Sequence, residues 1–165
     1  MAASITTADL RELRELTNYE IERGKPMPSK NHAILENRLV RTLGNKYEGK
    51  YDILPELSFE FKTGRKTPDV AILPVLEANW LDDEIRMTEP PLGVIEILSP
   101  SQSLQEILDK LPDYFEAGVQ SCWMVVPPLR MIHVFSAKNQ YKTFTDEILA
   151  DTALSIELDL CLIFR

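Results

Sequence analysis

Apolar residues along this 165-residue chain recur with two periods, and the change of period predicts the elements. Leu10, Leu13 and Leu16 follow Thr7 at helical spacing, which predicts a first helix over residues 7–19 with Thr7 as its N-cap. Gly24, Pro26 and Pro28 then break the chain. A second helix is expected from Ser29 or Asn31 to Leu43, with Ile34, Leu35, Leu39 and Leu43 as its apolar stripe and Gly44 as its end. The period next falls to two: Leu57, Phe59 and Phe61 alternate with Ser58 and Glu60, as in a half-buried strand. A hairpin-like turn, Thr63-Gly64-Arg65-Lys66, leads to Pro68, Asp69 and an apolar strand, Val70 to Leu73. Residues 76–91 are acidic and irregular, an expected loop with a short helical piece.

Gly93 to Leu98 is apolar except for Glu96, the pattern of a strand buried on both faces. Ser103 and Glu106 have the spacing of a capping box, opening a helix whose apolar face is Leu104, Ile107, Leu108, Leu111 and Phe115. Pro112 is expected to kink or shorten that helix and Gly118 to stop it. Strands are expected over 122–126, 131–135 and near 141–145; the tail, 154–164, fits no single period. Strand, helix, strand around Glu96 is a βαβ-like unit, so the class is α/β, a mixed sheet with helices on its faces. With neither repeats nor linkers, one domain is expected over residues 1–165, a helical segment of about 1–28 packing on it.

The formal net charge of −8 argues against a large non-specific nucleic-acid footprint. It leaves room for a small basic cleft. Lys62, Arg65 and Lys66 just before Asp69, like Arg38 and Arg41 on the second helix, read singly as solvated surface, though the cluster beside Asp69 is better placed for phosphate than chance. Cys122 and Cys161 lie in apolar surroundings without metal-ligand spacing and are expected to be buried free thiols, which suits a reducing cytoplasm. No apolar run approaches the length of a membrane span or a signal peptide, so no membrane partner is expected. The phosphate-loop, dinucleotide, zincin and serine-hydrolase motifs are absent.

A carboxylate at Glu96 costs several kcal/mol in a buried strand unless a cation or a raised pKa compensates. Asp69 opens a second core strand, and a hard divalent cation would relieve the repulsion of two such acids. Lys110 lies on the flank of the next helix, where its long stem can carry an ammonium to the strand end. Two carboxylates and a lysine are the minimal set for metal-assisted phosphodiester hydrolysis. His32 is more plausible as a capping or surface residue than as a ligand. Glu36, on the same helix, and Glu20, before the glycine turn, are weaker candidates. His133 alternates with Ile132 and Val134 and is expected on the sheet surface.

Several blocks together resemble the Uma family. They are Thr67-Pro68-Asp69-Val70-Ala71, Val94-Ile95-Glu96-Ile97-Leu98-Ser99-Pro100-Ser101, Lys110 with Tyr114, Ala117-Gly118-Val119, and Trp123. Upstream the resemblance takes in Tyr19-Glu20-Ile21, Gly24, Met27 and His32, and downstream Leu158-Asp159-Leu160 and Ile163-Phe164. That family comprises short, mostly cyanobacterial restriction-endonuclease-like proteins of the PD-(D/E)XK nuclease superfamily.

The resemblance implies a restriction-endonuclease-like fold, with Mg²⁺ or Mn²⁺ held by Asp69, Glu96 and the Ile97 backbone carbonyl. The superfamily lysine, normally two residues after the Glu, is Leu98 here, and the resemblance moves its role to Lys110. Where the family has Val-Asp-Pro, this chain has Val125-Val126-Pro127. The function implied is a metal-dependent endonuclease acting on nucleic acid, in the first place DNA, and cleaving both strands would favour a homodimer. The alternative is a nuclease-fold binding or regulatory protein with weak or absent catalysis, which the acidic charge and the missing Asp favour.

Overall fold

The computed structural model describes Ile21 and residues 24–165, so Glu20 and the helix expected over 7–19 lie outside the described residues. Helix α1 (Lys30–Lys46) opens at Ser29, whose hydroxyl accepts the His32 N–H at 3.3 Å. Its buried stripe is His32, Leu35, Leu39 and Leu43. Ile34, expected on that stripe, faces outward, because the 3-4-4 spacing starts at His32 instead. Gly44 does not end the helix: Lys46 does, and Tyr47 caps it by donating to the Leu43 carbonyl.

A six-stranded sheet follows. Its strands are β1 (Tyr51–Pro55), β4 (Val70–Pro74), β5 (Gly93–Ile97), β6 (Ser121–Val126), β7 (Met131–Ala137) and β8 (Gln140–Thr145), in that spatial order. The pair β5–β6 is parallel and every other neighbour is antiparallel, so the sheet is mixed, as expected. β2 (Phe59–Phe61) and β3 (Gly64–Lys66) form a separate hairpin, turned by Gly64 at φ 112°. A second hairpin, β9 (Ile148–Asp151) and β10 (Ile156–Asp159), precedes the short helix α4 (Leu160–Ile163). Residues 75–91 form a loop without the expected helical piece; Met87 bridges to Phe59.

A parallel pair needs a crossover, and here it is α2 (Leu104–Leu108) and α3 (Leu111–Ala117). The expected Ser103–Glu106 capping box opens α2. Pro112 splits the crossover into two helices, because its ring excludes a continuous helix through the Leu108 carbonyl. It becomes the second residue of α3, and Lys110 stands at the corner as the α3 N-cap. Gly118, at φ 104°, ends the helix as expected.

The sheet separates two apolar layers. On one side α1, α4 and the β9–β10 hairpin meet Ile72, Ile95 and Trp123. On the other, α2, α3 and the β2–β3 hairpin meet Val94 and Met124. Tyr114 takes the innermost place on α3, with Phe115 only half-buried; Leu104, expected inside, is exposed in the first turn of α2. Cys122 is buried, but Cys161 is exposed, because Leu160 and Ile163 take the inner face of α4. Among the described residues no helix is long and apolar enough to cross a membrane.

One buried carboxylate serves the fold. Asp151 accepts Ser121 Oγ at 2.6 Å, Trp123 Nε1 at 2.7 Å and the Ala153 and Leu154 amides, tying the β9–β10 hairpin to β6. Replacing Asp151 by Ala strands several buried donors, each worth about 1–3 kcal/mol. Urea denaturation of Asp151→Ala should show a loss of about 3 kcal/mol or more.

Candidate active site

Val70 pairs with Ile95 across β4 and β5, so Asp69 and Glu96 are the next residues along the two strands. Both are buried, Asp69 to 1% exposure. The Asp69 backbone is pinned by the Glu56 N–H, which donates to its carbonyl at 3.1 Å. Its side chain accepts the Ile97 N–H on Oδ2 at 2.6 Å. Oδ1 takes two partners: Lys25 Nζ at 2.5 Å and His32 Nε2 at 3.1 Å. Lys25 itself is 4% exposed, so this is a buried ion pair.

Glu96 faces the opposite helical layer. Tyr114 donates its hydroxyl to Oε1 at 2.5 Å, and Lys110 Nζ lies 2.9 Å from Oε2. Lys110 is 20% exposed, so its ammonium stands between the buried carboxylate and solvent. The corner made by Pro112 turns the Lys110 stem toward β5 instead of along a helix flank. The structure thus brings the Lys110 ammonium to the strand end, but from the corner between two helices and not from the expected helix flank.

The electrostatics follow from burial. Burial alone would raise the Asp69 pKa, but the Lys25 ammonium and His32 outweigh it and hold the carboxyl well below its usual range. Burial also raises Glu36, helped by the negative charges of Glu56 and Asp69. Tyr114 is pushed well above its ordinary value, first by burial and then by the Glu96 charge, so it stays a protonated donor.

His32 is not the capping or surface residue expected. It is buried, with Nε2 on Asp69 and Nδ1 3.6 Å from Glu36 Oε2, too far for a hydrogen bond. Glu36 thus lies beside His32 at the edge of the site without a hydrogen bond to it. Glu20 lies outside the described residues. The basic residues before Asp69 do not converge: Lys66 pairs with Asp113 at 2.7 Å, while Lys62 and Arg65 are exposed. Arg38 binds the carbonyls of Ile163 and Arg165. His133 is half-buried on β7 with Nδ1 2.7 Å from Thr143 Oγ1, and it stands two strands from Glu96, across Met124.

Sequence reasoning missed Lys25 and gave Tyr114 no role of its own. Tyr114 had a signal, the four-residue step from Lys110 on the buried face. Lys25 had only its place between a glycine and a proline.

The donor chemistry suits a hard divalent cation, since two carboxylates and a peptide carbonyl at Ile97 are all oxygen ligands. Yet among the described residues no group of three or more His, Cys, Asp or Glu converges as a ready ligand set. Each carboxylate oxygen instead faces a donor, and two ammonium groups carry the compensating charge.

Comparison with known proteins gives a family and a fold. Residues 10–161 match the profile of the Uma2 family, described as "Putative restriction endonuclease". A crystal structure of "a putative nuclease belonging to DUF820" from Anabaena variabilis superposes with a TM-score of 0.74 at 20% identity, covering 98% of each chain. That likeness establishes the fold, a central mixed sheet with flanking helices. No curated protein matches. Nucleases of the restriction-endonuclease-like superfamily generally use divalent metals.

The buried Lys25–Asp69 pair has a measurable signature. A carboxylate whose pKa is depressed by folding stabilises the protein above its unfolded value, ~3.9 for Asp, and that stability fades as pH falls below it. Asp69→Asn should lose about 3–5 kcal/mol at neutral pH, because Lys25 is left buried without its counter-charge. Urea midpoints measured from neutral to acid pH should show the gap between wild type and Asp69→Asn closing as pH drops.

Proposed function

Because this chain belongs to the Uma2 family of the restriction-endonuclease-like superfamily, we propose that it is a Mg²⁺- or Mn²⁺-dependent endonuclease that hydrolyses phosphodiester bonds in DNA. The observation that carries this reading is the pair of buried carboxylates, Asp69 and Glu96, at adjacent ends of two central strands, with Lys110 reaching Glu96 from the crossover. Asp69, Glu96 and the Ile97 carbonyl hold the ion, which when bound polarises the scissile phosphate and lowers the pKa of water.

The protein's own groups supply the rest. Tyr114 fixes the Glu96 rotamer through its hydroxyl, and burial keeps that hydroxyl protonated. His32 orients Asp69 from α1. Lys110, with its ammonium partly open to solvent, binds a phosphate oxygen and neutralises charge that develops during attack. Cutting both strands calls for two such sites, so the working unit is a homodimer. The one-domain organisation and the cytoplasmic setting belong to the same proposal.

One observation favours a second reading. Every carboxylate oxygen at the site already has a protein donor, as in a nuclease fold kept for binding or regulation without catalysis. Incubation with supercoiled plasmid and Mg²⁺ or Mn²⁺ separates the two. The wild type should nick or linearise the plasmid, and Glu96→Gln should not. Lys110→Met keeps the apolar stem and should lower the rate by about 10²-fold or more while Mn²⁺ binding survives. Tyr114→Phe should lose less, since it frees Glu96 without removing a charge. No cutting of any substrate, with no Mn²⁺-dependent shift in melting temperature, would leave the binding protein as the better account.

A further inference from the structure

Lys25 has a place in the site that the nuclease reading does not use. Its Nζ lies 2.5 Å from Asp69 Oδ1, and both side chains are almost wholly buried. The residue sits in the segment between Gly24, at φ 69°, and the start of α1, outside any helix or strand. A structural ion pair of this kind is usually made by Arg, whose planar fork binds a carboxylate at two points. Here the cation is a single ammonium on a flexible four-carbon stem, and it engages one oxygen only.

Among the described residues each of the two strand-end carboxylates has an ammonium partner. Asp69 is matched by Lys25 and Glu96 by Lys110. A dication entering beside Asp69 would meet a buried ammonium at hydrogen-bond distance from the same oxygen. Two such cations cannot share Oδ1 in low dielectric. Either Asp69 is closed to metal, or Lys25 gives way.

We propose that Lys25 is the internal cation of the site: it neutralises Asp69 in the metal-free protein and leaves that carboxylate when a divalent ion enters. The proposal rests on the reading of Asp69 as a metal ligand and adds a competitor built into the chain. Metal binding then carries the cost of expelling an ammonium, and removing that ammonium strengthens binding.

Two measurements test this. Calorimetric titration with Mn²⁺ compares wild type, Lys25→Met and Glu96→Gln. Lys25→Met should bind Mn²⁺ about tenfold more tightly than wild type, a difference of about 1.4 kcal/mol, and Glu96→Gln should bind weakly or not at all. Separately, the wild-type protein is acetylated briefly with and without Mn²⁺, and each lysine is quantified by mass spectrometry. Lys25 labelling should rise several-fold with the metal, while exposed Lys138 stays constant.

Equal or weaker Mn²⁺ binding by folded Lys25→Met overturns the proposal. So does Lys25 labelling that ignores Mn²⁺ while wild type binds the ion, an outcome that leaves the metal reading intact. If neither wild type nor Lys25→Met binds Mn²⁺, both readings fall. Should Lys25→Met not fold, labelling of the wild type decides alone.

Discussion

Two carboxylates buried next to each other must each keep a positive partner, and much of this molecule can be understood from how it meets that demand. Asp69 and Glu96 lie at adjacent ends of the central strands, where hydration is lost and mutual repulsion is strong. The fold divides the solution between its two layers. α1 and the segment before it bring His32 and Lys25 to Asp69; the crossover brings Lys110 and Tyr114 to Glu96. Neither layer alone completes the site, which couples its assembly to closure of the sheet from both sides.

Asp151 gives an instructive contrast. It is buried as deeply, yet among the described residues four neutral donors and no lysine surround it. A carboxylate satisfied by amides, a hydroxyl and an indole is locked by directional bonds and has no exchangeable cation. At Asp69 and Glu96, part of the compensation rests on flexible ammonium groups. The same side-chain chemistry therefore serves as a rivet at one end of the sheet and as a charge-bearing site at the other.

The legible parts of the sequence were those in which one local signal dominates. β5 and β6 show as apolar runs, α2 as a capping box, and the split crossover as Pro112. Glu96 stood out because it interrupts such a run. The reach of Lys110 to the strand end was argued from its long stem, but from a helix flank, whereas Lys110 stands at the corner between two helices. β1 was missed because Tyr51, Asp52 and Pro55 blur its alternation, and β9 because its pattern is only four residues long. His32 looked polar and terminal, although its spacing to Leu35, Leu39 and Leu43 sets it on the buried stripe. Lys25 was beyond reach: only a contact with Asp69, 44 residues away, distinguishes it from a solvated lysine.

The corner at Pro112 has a consequence for how such a site can vary. A lysine placed two residues after a strand glutamate is bound to that glutamate by the pleat, and its reach is set by a fixed repeat. Lys110 is freed from that lockstep. Its reach depends on the connection from Ile97 to Ser103 and on the angle between two short helices. Insertions or deletions in that connection can tune the separation of the Glu96 carboxylate and the Lys110 ammonium without disturbing a central strand. The tethered arrangement makes the spacing of carboxylate and ammonium a loop property, open to gradual adjustment, where the strand-borne version admits only whole register steps.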